Sequence, residues 1–354
     1  MKKIVFLALL TISRLACGES PLFESDQTLA ITIEAPMRDL IRQRMKKPEF
    51  DAVVSYTDSS GAVRSINAKL ASRGNARLET CDYPPLRLDF TGEKTVGTVF
   101  EGQRRLKMVT PCERGSSAES WMHIEYGVYR AYNEISEFSY KARRIDVTLQ
   151  DSTSSRWQRE MPTFVIESTE ELAERKGRVS IRPPKIETGQ FNSFELMNNA
   201  LFQFLIANTD FAFKRGSSGE GCCHNGRVLA EKGRQDDWIV VPYDFDQAGI
   251  IDTDYALPDK RLKIKNVRRR LYRGFCWHND RLPQAIAAFN EKRQALTAAL
   301  VPADVSSSTM KRISIYIDLF YEIINDPGEL QAEVLDKCRG AATFEIRKTS
   351  VAER

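Results

Sequence analysis

The chain has 354 residues, of which 42% are hydrophobic and 28% are charged, and its formal net charge is +4. This composition is that of a folded globular protein. It excludes a wholly disordered chain, a collagen-like repeat and a protein with several membrane spans. Lys and Arg form no long basic block, so nucleic-acid binding is not indicated. Three histidines in the whole chain also argue against His-rich metal chemistry.

The first 18 residues have the pattern of a secretory signal peptide. Lys2 and Lys3 precede an apolar stretch over residues 4–12, and small residues flank Cys17. Nine apolar residues are too few to span a bilayer as a helix. We therefore predict export to the periplasm, the cell envelope or the extracellular space, with no transmembrane segment in the mature chain. Lipidation at Cys17 is the alternative, but Arg14 fits a lipoprotein signal poorly.

An even number of cysteines remains after the predicted cleavage, namely Cys81, Cys112, Cys222, Cys223, Cys276 and Cys338. In an oxidising compartment, an even number favours disulfide bonds over free thiols. We expect Cys81 to pair with Cys112. We also expect the adjacent Cys222 and Cys223 to reach different partners, with one of them pairing with Cys276.

A zinc site is the alternative reading of the same cysteines. The segments Cys222-Cys223-His224 and Cys276-Trp277-His278 offer thiolate and imidazole ligands. Their spacing is not that of a common zinc motif, and the thiols would have to escape oxidation. Disulfides are therefore the favoured interpretation.

The first half of the chain alternates between apolar and polar residues, a pattern typical of strands with one buried face. Strands are predicted over residues 28–34, 50–57, 63–72, 86–90, 105–109, 142–149 and 162–167. Helices are predicted over residues 37–45 and 120–135, and a charged linker over residues 172–187.

The second half is predicted to be mainly helical. Helices are predicted over residues 191–208, 282–300, 310–324 and 327–339, and a buried strand over residues 238–241. The sequence thus predicts an α+β fold with two lobes. Residues 19–187 would form a β-rich N-terminal lobe, and residues 188–354 a mainly helical C-terminal lobe.

Polar residues of one chemical kind cluster in the second half. Asp210 follows the predicted helix 191–208, Asn225 comes fifteen residues later, and Asp244 and Asp246 directly follow the predicted strand 238–241. Carboxylate and amide oxygens suit Mg²⁺ or Mn²⁺, which bridge to phosphates. The alternative is that each residue only forms a turn, since Asp and Asn are common there.

Several short motifs resemble the CotH (spore coat protein H) kinase-like family. They are Arg73-Gly74-Asn75, residues 83–88, Leu106-Lys107-Met108-Val109, Phe164-Val165-Ile166-Glu167, Asn208-Thr209-Asp210, Asn225 and Pro242-Tyr243-Asp244-Phe245-Asp246. The resemblance implies a two-lobed atypical kinase fold. It also implies that ATP and Mg²⁺ or Mn²⁺ are used to phosphorylate Ser or Thr of extracytoplasmic proteins.

The resemblance also implies roles for single residues. Asp210 would orient the attacking hydroxyl, and Asp244, Asp246 and Asn225 would be metal ligands. The chain departs from ordinary kinases in the longer step from Asp210 to Asn225 and in having no GxGxxG phosphate loop.

Basic residues of the first half are candidates for binding the nucleotide phosphates. Lys107 lies in a predicted strand, where kinases place a phosphate-binding lysine. Arg87 and Arg73 are alternative candidates for this role. Glu125, on the predicted helix 120–135, is the candidate carboxylate partner of Lys107, and Glu167 is the second candidate. The alternative for the three basic residues is an exposed strand face without a function.

Two further alternatives concern function. The first is an exported protein that binds a partner or takes part in envelope assembly and keeps the fold without the catalytic activity. A metal-dependent hydrolase would use the same carboxylates without a nucleotide. The run Arg268-Arg269-Arg270 is interpreted as a solvated helix end, with binding of an acidic substrate as the alternative.

Overall fold

A computed structural model describes residues 20–216 and 221–340. The predicted signal peptide over residues 1–18 lies outside the described residues. Within the described ranges, no helix is both long enough and apolar enough to cross a membrane.

Seven strands of the first half form a closed barrel of mixed strand direction. They are β1 (Leu29–Ala35), β2 (Phe50–Thr57), β3 (Val63–Ser72), β4 (Leu86–Asp89), β5 (Arg105–Val109), β6 (Ala142–Asp151) and β7 (Ser154–Ile166). Their order is β1-β2-β3-β4-β5-β7-β6, in which β1 and β6 are parallel and all other neighbours are antiparallel. The alternation that predicted these strands turns Ile33, Val54 and Leu70 into the barrel core.

Four helices accompany the barrel strands along the chain. They are α1 (Met37–Arg42), α2 (Ala76–Thr80), α3 (Ser116–Ile135) and α4 (Thr169–Arg175). The long helix α3 has one face against β6 and β7. Its Gly127 lies so close to the chain at Ala299 that a Cβ atom there would be 2.4 Å from the Ala299 carbonyl oxygen. Glycine at this position therefore lets α3 pack closely against the second half.

The second half combines helices with a small antiparallel sheet. Its helices are α5 (Ser193–Leu205), α6 (Leu282–Glu291), α7 (Arg293–Leu300), α8 (Ser307–Asn325) and α9 (Pro327–Leu330). Its strands are β8 (Val179–Ile181), β9 (Gly226–Ala230) and β10 (Ile239–Pro242), in the order β10-β9-β8. The chain is thus a mixed α/β protein with a large mixed sheet, as the coarse α+β prediction requires.

Several element predictions are corrected by the structure. Residues 172–187 are not a structureless linker, because they contain the end of α4 and the strand β8. The predicted helix 282–300 is two helices that meet at Lys292, and 327–339 is helical only to 335. The boundary at 187/188 stays a prediction, although β8 pairs with β9 and so joins the sheet of the second half.

The buried apolar side chains form two clusters. One fills the barrel, with Leu88 and Val165 among its members. The other includes α3, α5, the small sheet and the C-terminal helices, with Phe202 and Phe245 at its centre. Since α3 belongs to the second cluster, this helix carries side chains of the first half into the core of the second.

The six cysteines form three disulfide bonds. Cys81–Cys112 is confirmed. The prediction that Cys222 and Cys223 reach different partners is wrong, because they pair with each other. The pairing of either with Cys276 is also wrong, because Cys276 pairs with Cys338. With all six sulfurs bonded, none is available as a zinc thiolate.

We predict that proteolysis of the unreduced protein releases Cys81 linked to Cys112 and Cys276 linked to Cys338, as seen by mass spectrometry. Cys222 and Cys223 should stay together in one peptide that resists alkylation until it is reduced. Removing the Cys81–Cys112 bond by a double serine substitution should lower the free energy of unfolding by about 2–5 kcal/mol. A cross-link from Cys276 to Cys222 or Cys223 would contradict this pattern.

Candidate functional site

The segment after β10 is held in place by α3. The backbone N–H of Asp244 donates a hydrogen bond of 2.9 Å to the hydroxyl of Tyr129. Phe245 is fully buried, and its ring centroid lies 4.9 Å from that of Tyr129. Asp244 has a φ angle of 65°, in the left-handed region that Asp tolerates better than most residues. This turn and the buried Phe245 fix where Asp244 and Asp246 lie.

Asp246 and Glu125 are two buried carboxyl groups linked by their electrostatic effect. Asp246 is 8% exposed, and Glu125, on α3, is 4% exposed. Burial, followed by the charge of Asp244, raises the pKa of Asp246. Burial, followed by the charge of Asp246, raises the pKa of Glu125. Both groups therefore favour protonation unless a cation is supplied.

Among the cations, Arg77 has the largest electrostatic effect on these two carboxyl groups and acts to lower the pKa of each. Burial alone would lower the pKa of its guanidinium, but Tyr255, Glu125 and Asp246 outweigh burial and raise that pKa. One guanidinium nitrogen donates to the carbonyl of Thr110 at 2.5 Å, close to the Cys81–Cys112 disulfide. Arg77 forms no ion pair within 4 Å in the described part of the chain, so its charge offsets the carboxylates only in part.

Asp210 lies in the loop after α5 and is fixed by two neighbours. The ring Nε2 of His224 lies 2.7 Å from one carboxylate oxygen. The side-chain nitrogen of Asn225 donates to the other oxygen at 2.9 Å and to the backbone carbonyl of Asp210 at 2.8 Å. This arrangement leaves the Asn225 side-chain oxygen as the atom that can face a cation. The charge of Asp210 also contributes to the raised pKa of Asp246.

Lys107 and Arg227 lie over the ring of Tyr243, and Arg73 adds a third positive charge that acts on Lys107. The Lys107 ammonium lies 5.1 Å from the ring centroid, and the Arg227 guanidinium 4.5 Å from it. Burial, then the charges of Arg73 and Arg227, lower the pKa of Lys107 to about 8. In the described ranges, none of the three forms an ion pair with a carboxylate. Like charges held together in this way are stabilised by an anion.

The basic cluster and the acidic cluster adjoin each other at Asp244. The carboxylate of Asp244 acts to raise the pKa of Lys107 and also raises that of Asp246. Lys107 lies on β5 of the barrel, while Arg227 lies on β9 of the small sheet. The two halves of the chain thus supply the two sides of one charged site.

Other predicted site residues have structural partners instead. Arg87 donates to Glu49 at 2.5 Å on the barrel surface. Glu167 accepts two hydrogen bonds of 2.8 Å from Arg175. The expected pairing of Lys107 with Glu125 or Glu167 is not formed, because Glu125 adjoins Asp246 and Glu167 is bound by Arg175.

Within the part of the chain that the structure describes, the side chains do not form a complete metal site. No group of three or more His, Cys, Asp or Glu side chains in the described ranges could hold a metal ion. Mg²⁺ usually takes one or two protein carboxylates and completes its shell with water and phosphate oxygens. The oxygens of Asp244, Asp246 and Asn225 fit that pattern only if phosphates supply further ligands.

Residues that the sequence analysis missed complete the site, namely Arg77, Tyr129, His224, Arg227, Tyr243 and Tyr255. Arg227 was missed because β9 was not predicted. Tyr243 lies inside the segment 242–246, which the sequence analysis used only for its two aspartates. Its contacts with Lys107 and Arg227 depend on the folded structure and leave no signal in the sequence. His224 was considered only as a zinc ligand.

A cavity of about 560 Å³ opens beside Asp210. His224, Arg215, Arg261 and Arg273 contribute to its walls. Another depression, of about 580 Å³, lies over β1, β2, β6 and β7, away from both charged clusters. Its lining contains Asp146 and Glu160 but no basic residue, so it lacks the charges that a phosphate group requires. The cavity beside Asp210 therefore adjoins candidate catalytic residues, and the depression over the barrel does not.

Comparisons of the chain with family models, with curated proteins and with solved structures gave no match.

We predict that Asp246→Asn stabilises the protein when no divalent cation is present. The pKa of Asp246 is higher in the folded protein than in the unfolded chain. Below the pKa of the unfolded chain, both states are protonated and the carboxyl group does not destabilise the fold. The destabilisation grows as pH rises toward the pKa in the folded protein. The gain in the free energy of unfolding should therefore increase from pH 5 to pH 8, to about 1–3 kcal/mol. Urea denaturation at both pH values measures it, with exposed Asp318→Asn as the control. A gain that shrinks with pH would contradict the assignment.

We predict that Lys107→Met also stabilises the protein without nucleotide. Its folded pKa of about 8 lies below the ordinary value of 10.5, so the cost of the buried charge is full below pH 8 and is relieved as pH rises further. The variant should gain about 1–3 kcal/mol at pH 7 and less at pH 9.5, by urea denaturation. The exposed Lys232→Met should change little at either pH. An equal gain at both pH values would show that packing rather than charge is responsible.

Proposed function

We propose that this protein is an exported, two-lobed, atypical kinase-like protein that transfers the γ-phosphoryl group of ATP to Ser or Thr of extracytoplasmic proteins. One observation carries the proposal. A cluster of basic side chains without carboxylate partners adjoins a cluster of carboxyl groups with raised pKa values, and each half of the chain contributes to both. The motifs that resemble the CotH family contain most of these residues.

Nucleotide phosphates are the ligand that relieves both clusters at once. Arg73, Lys107 and Arg227 would contact phosphate oxygens, and the last two lie over the ring of Tyr243. Arg87 and Glu167 are left out of this role because Glu49 and Arg175 already bind them. Anions that carry several negative charges would stabilise the basic cluster by direct Coulomb attraction in a partly desolvated site.

The carboxyl groups would hold a divalent cation that arrives with the nucleotide. When bound, Mg²⁺ or Mn²⁺ supplies positive charge that neutralises the phosphates. Asp244 and Asp246 would provide carboxylate ligands, and Asn225 its side-chain oxygen. Asp246 would lose its proton on binding, since its raised pKa follows from burial and from nearby Asp244. Glu125 would remain behind Asp246 as a second buried acid.

Asp210 would orient the acceptor. Its carboxylate accepts from Asn225 and contacts His224, which holds it at the rim of the cavity. In the transfer, the acceptor oxygen forms a bond to the γ-phosphorus, the bond to the leaving ADP oxygen breaks, and ADP retains that electron pair. The hydroxyl proton passes to the Asp210 carboxylate. Kinases use an Asp in this position for the same task.

We expect ATP with Mn²⁺ or Mg²⁺ to raise the melting temperature, because a ligand that binds only the folded state stabilises it. At a concentration of about 100 Kd, the gain is about 2.7 kcal/mol. Asp244→Asn should abolish this metal-dependent shift while the protein stays folded. Asp210→Asn should keep the shift and lose phosphotransfer from labelled ATP. Thermal denaturation and a transfer assay measure the two effects.

Three outcomes would oppose the proposal. If Asp244→Asn binds Mn²⁺-ATP as the parent does, the metal role of Asp244 is wrong. If the parent is not stabilised by any nucleotide, the non-catalytic exported binding protein becomes the better interpretation. Stabilisation by the metal alone, equal with and without ATP, would favour the hydrolase instead. Asp318→Asn, far along the chain on α8, is the matched control for loss of a carboxylate.

A further inference from the structure

We propose that the acceptor is an acidic polypeptide segment, which binds in the cavity beside Asp210 and along a basic segment, residues 259–270. This inference rests on the proposed function, since it assigns the acceptor of the same site. The basic segment contains seven Lys and Arg residues and one Asp. Its members Asp259, Arg261, Leu262 and Val267 line the cavity, together with Asp210.

The basic segment is held beside the cavity by close backbone packing. Gly249 follows the Asp244–Asp246 turn, and a Cβ atom on it would lie 2.2 Å from the carbonyl oxygen of Val267. No larger residue fits this approach without a shift of the backbone. The chain after the acidic cluster and the basic segment therefore lie in direct contact. An acceptor bound along residues 259–270 would reach Asp210 across the same cavity.

The last three arginines of the segment are engaged within the protein. Arg268 lies 3.7 Å from Asp252, and Arg269 pairs with Glu333 at 3.0 Å. Arg270 is buried and donates to the carbonyl of Leu205. The run 268–270 is thus not a helix end, although Arg268 and Arg269 are exposed, and each of its three arginines has a partner within the protein.

The earlier cations of the segment are free to meet a ligand. Lys260, Lys263 and Lys265 are exposed and form no ion pair with any described residue. Arg215, on the cavity wall, is likewise exposed and has no carboxylate partner in the described ranges. Arg261 pairs with Asp259, its neighbour two residues away, but is 88% exposed. Such an exposed pair contributes little and exchanges readily for an incoming carboxylate.

The charge pattern favours a peptide over a nucleic acid or a lipid surface. The cavity has the carboxylate of Asp210 on its wall, which repels closely spaced phosphates. A peptide can instead place a neutral Ser or Thr hydroxyl there. In an extended peptide, each residue advances about 3.3 Å, so acidic side chains that flank the Ser or Thr can extend from Asp210 along the cavity toward Arg215 and Arg261 on its wall. The cavity volume of about 560 Å³ accommodates side chains of this size.

Binding of labelled peptides tests the inference without requiring turnover. Three fluorescent peptides of equal length carry one Ser flanked by Asp and Glu, by Asn and Gln, or by Lys, and anisotropy reports their binding. The acidic peptide should bind most tightly. Its affinity should fall as the salt concentration rises from about 0.05 to 0.5 M, because salt screens exposed charges. Arg215→Glu with Lys260→Glu should weaken it about tenfold or more. Lys232→Glu with Lys311→Glu, exposed lysines outside both the cavity lining and the basic segment, should leave binding unchanged.

Several results would overturn the inference. They are equal binding of the acidic and neutral peptides, equal loss in both double variants, and tighter, competing binding of an anionic phospholipid vesicle or a DNA oligonucleotide. Thermal stabilisation by Mn²⁺-ATP, measured on the same samples, separates the two proposals. If ATP binds but the acidic peptide shows no preference, only this inference fails. If the peptide binds as expected but no nucleotide does, only the proposed function fails.

Discussion

Charge that the protein does not neutralise by itself is the constraint on which the site depends. Asp246 and Glu125 are both buried, the charge of Asp246 raises the pKa of Glu125, and the charges of Arg73 and Arg227 act on Lys107. Each arrangement opposes folding, because a charge removed from water needs a partner of opposite sign. The two apolar clusters must stabilise the fold by more than this cost. The Tyr129–Asp244 hydrogen bond then prevents the acidic turn from relaxing toward solvent.

Much of the fold could be predicted from the local pattern of apolar and polar residues, and there are physical reasons why some elements were missed. β2, β3 and β5 were predicted at their observed bounds, because their apolar and polar residues alternate as expected for strands with one face inside the barrel. β8 has three residues within a charged stretch, and β9 has a short apolar run without alternation, so neither carries a periodic signal. Their pairing depends on contacts between distant parts of the chain, and closure of the barrel depends on the same kind of contact.

The site divides in a similar way. Asp210, Asn225, Asp244 and Asp246 could be singled out because their kind and order are informative, and the structure brings them into one electrostatic group. Partner choice could not be predicted. Lys107 and Glu125 each lie on the expected kind of element, yet they form no ion pair, and Glu125 is buried within the electrostatic influence of Asp246 and Arg77. The disulfides show the same limit, since sequence spacing among six cysteines leaves fifteen pairings open.

The strand β8 has a consequence for dividing the chain into parts. It follows α4 by only a few residues, yet it covers one edge of the small sheet by pairing with β9. A fragment that began at residue 188 would remove this cover and leave the backbone N–H and C=O groups of β9 unpaired along that edge. Uncovered edges of this kind recruit strands from other molecules. The second half, expressed alone, would therefore need to begin before Val179 to keep this edge of the small sheet covered.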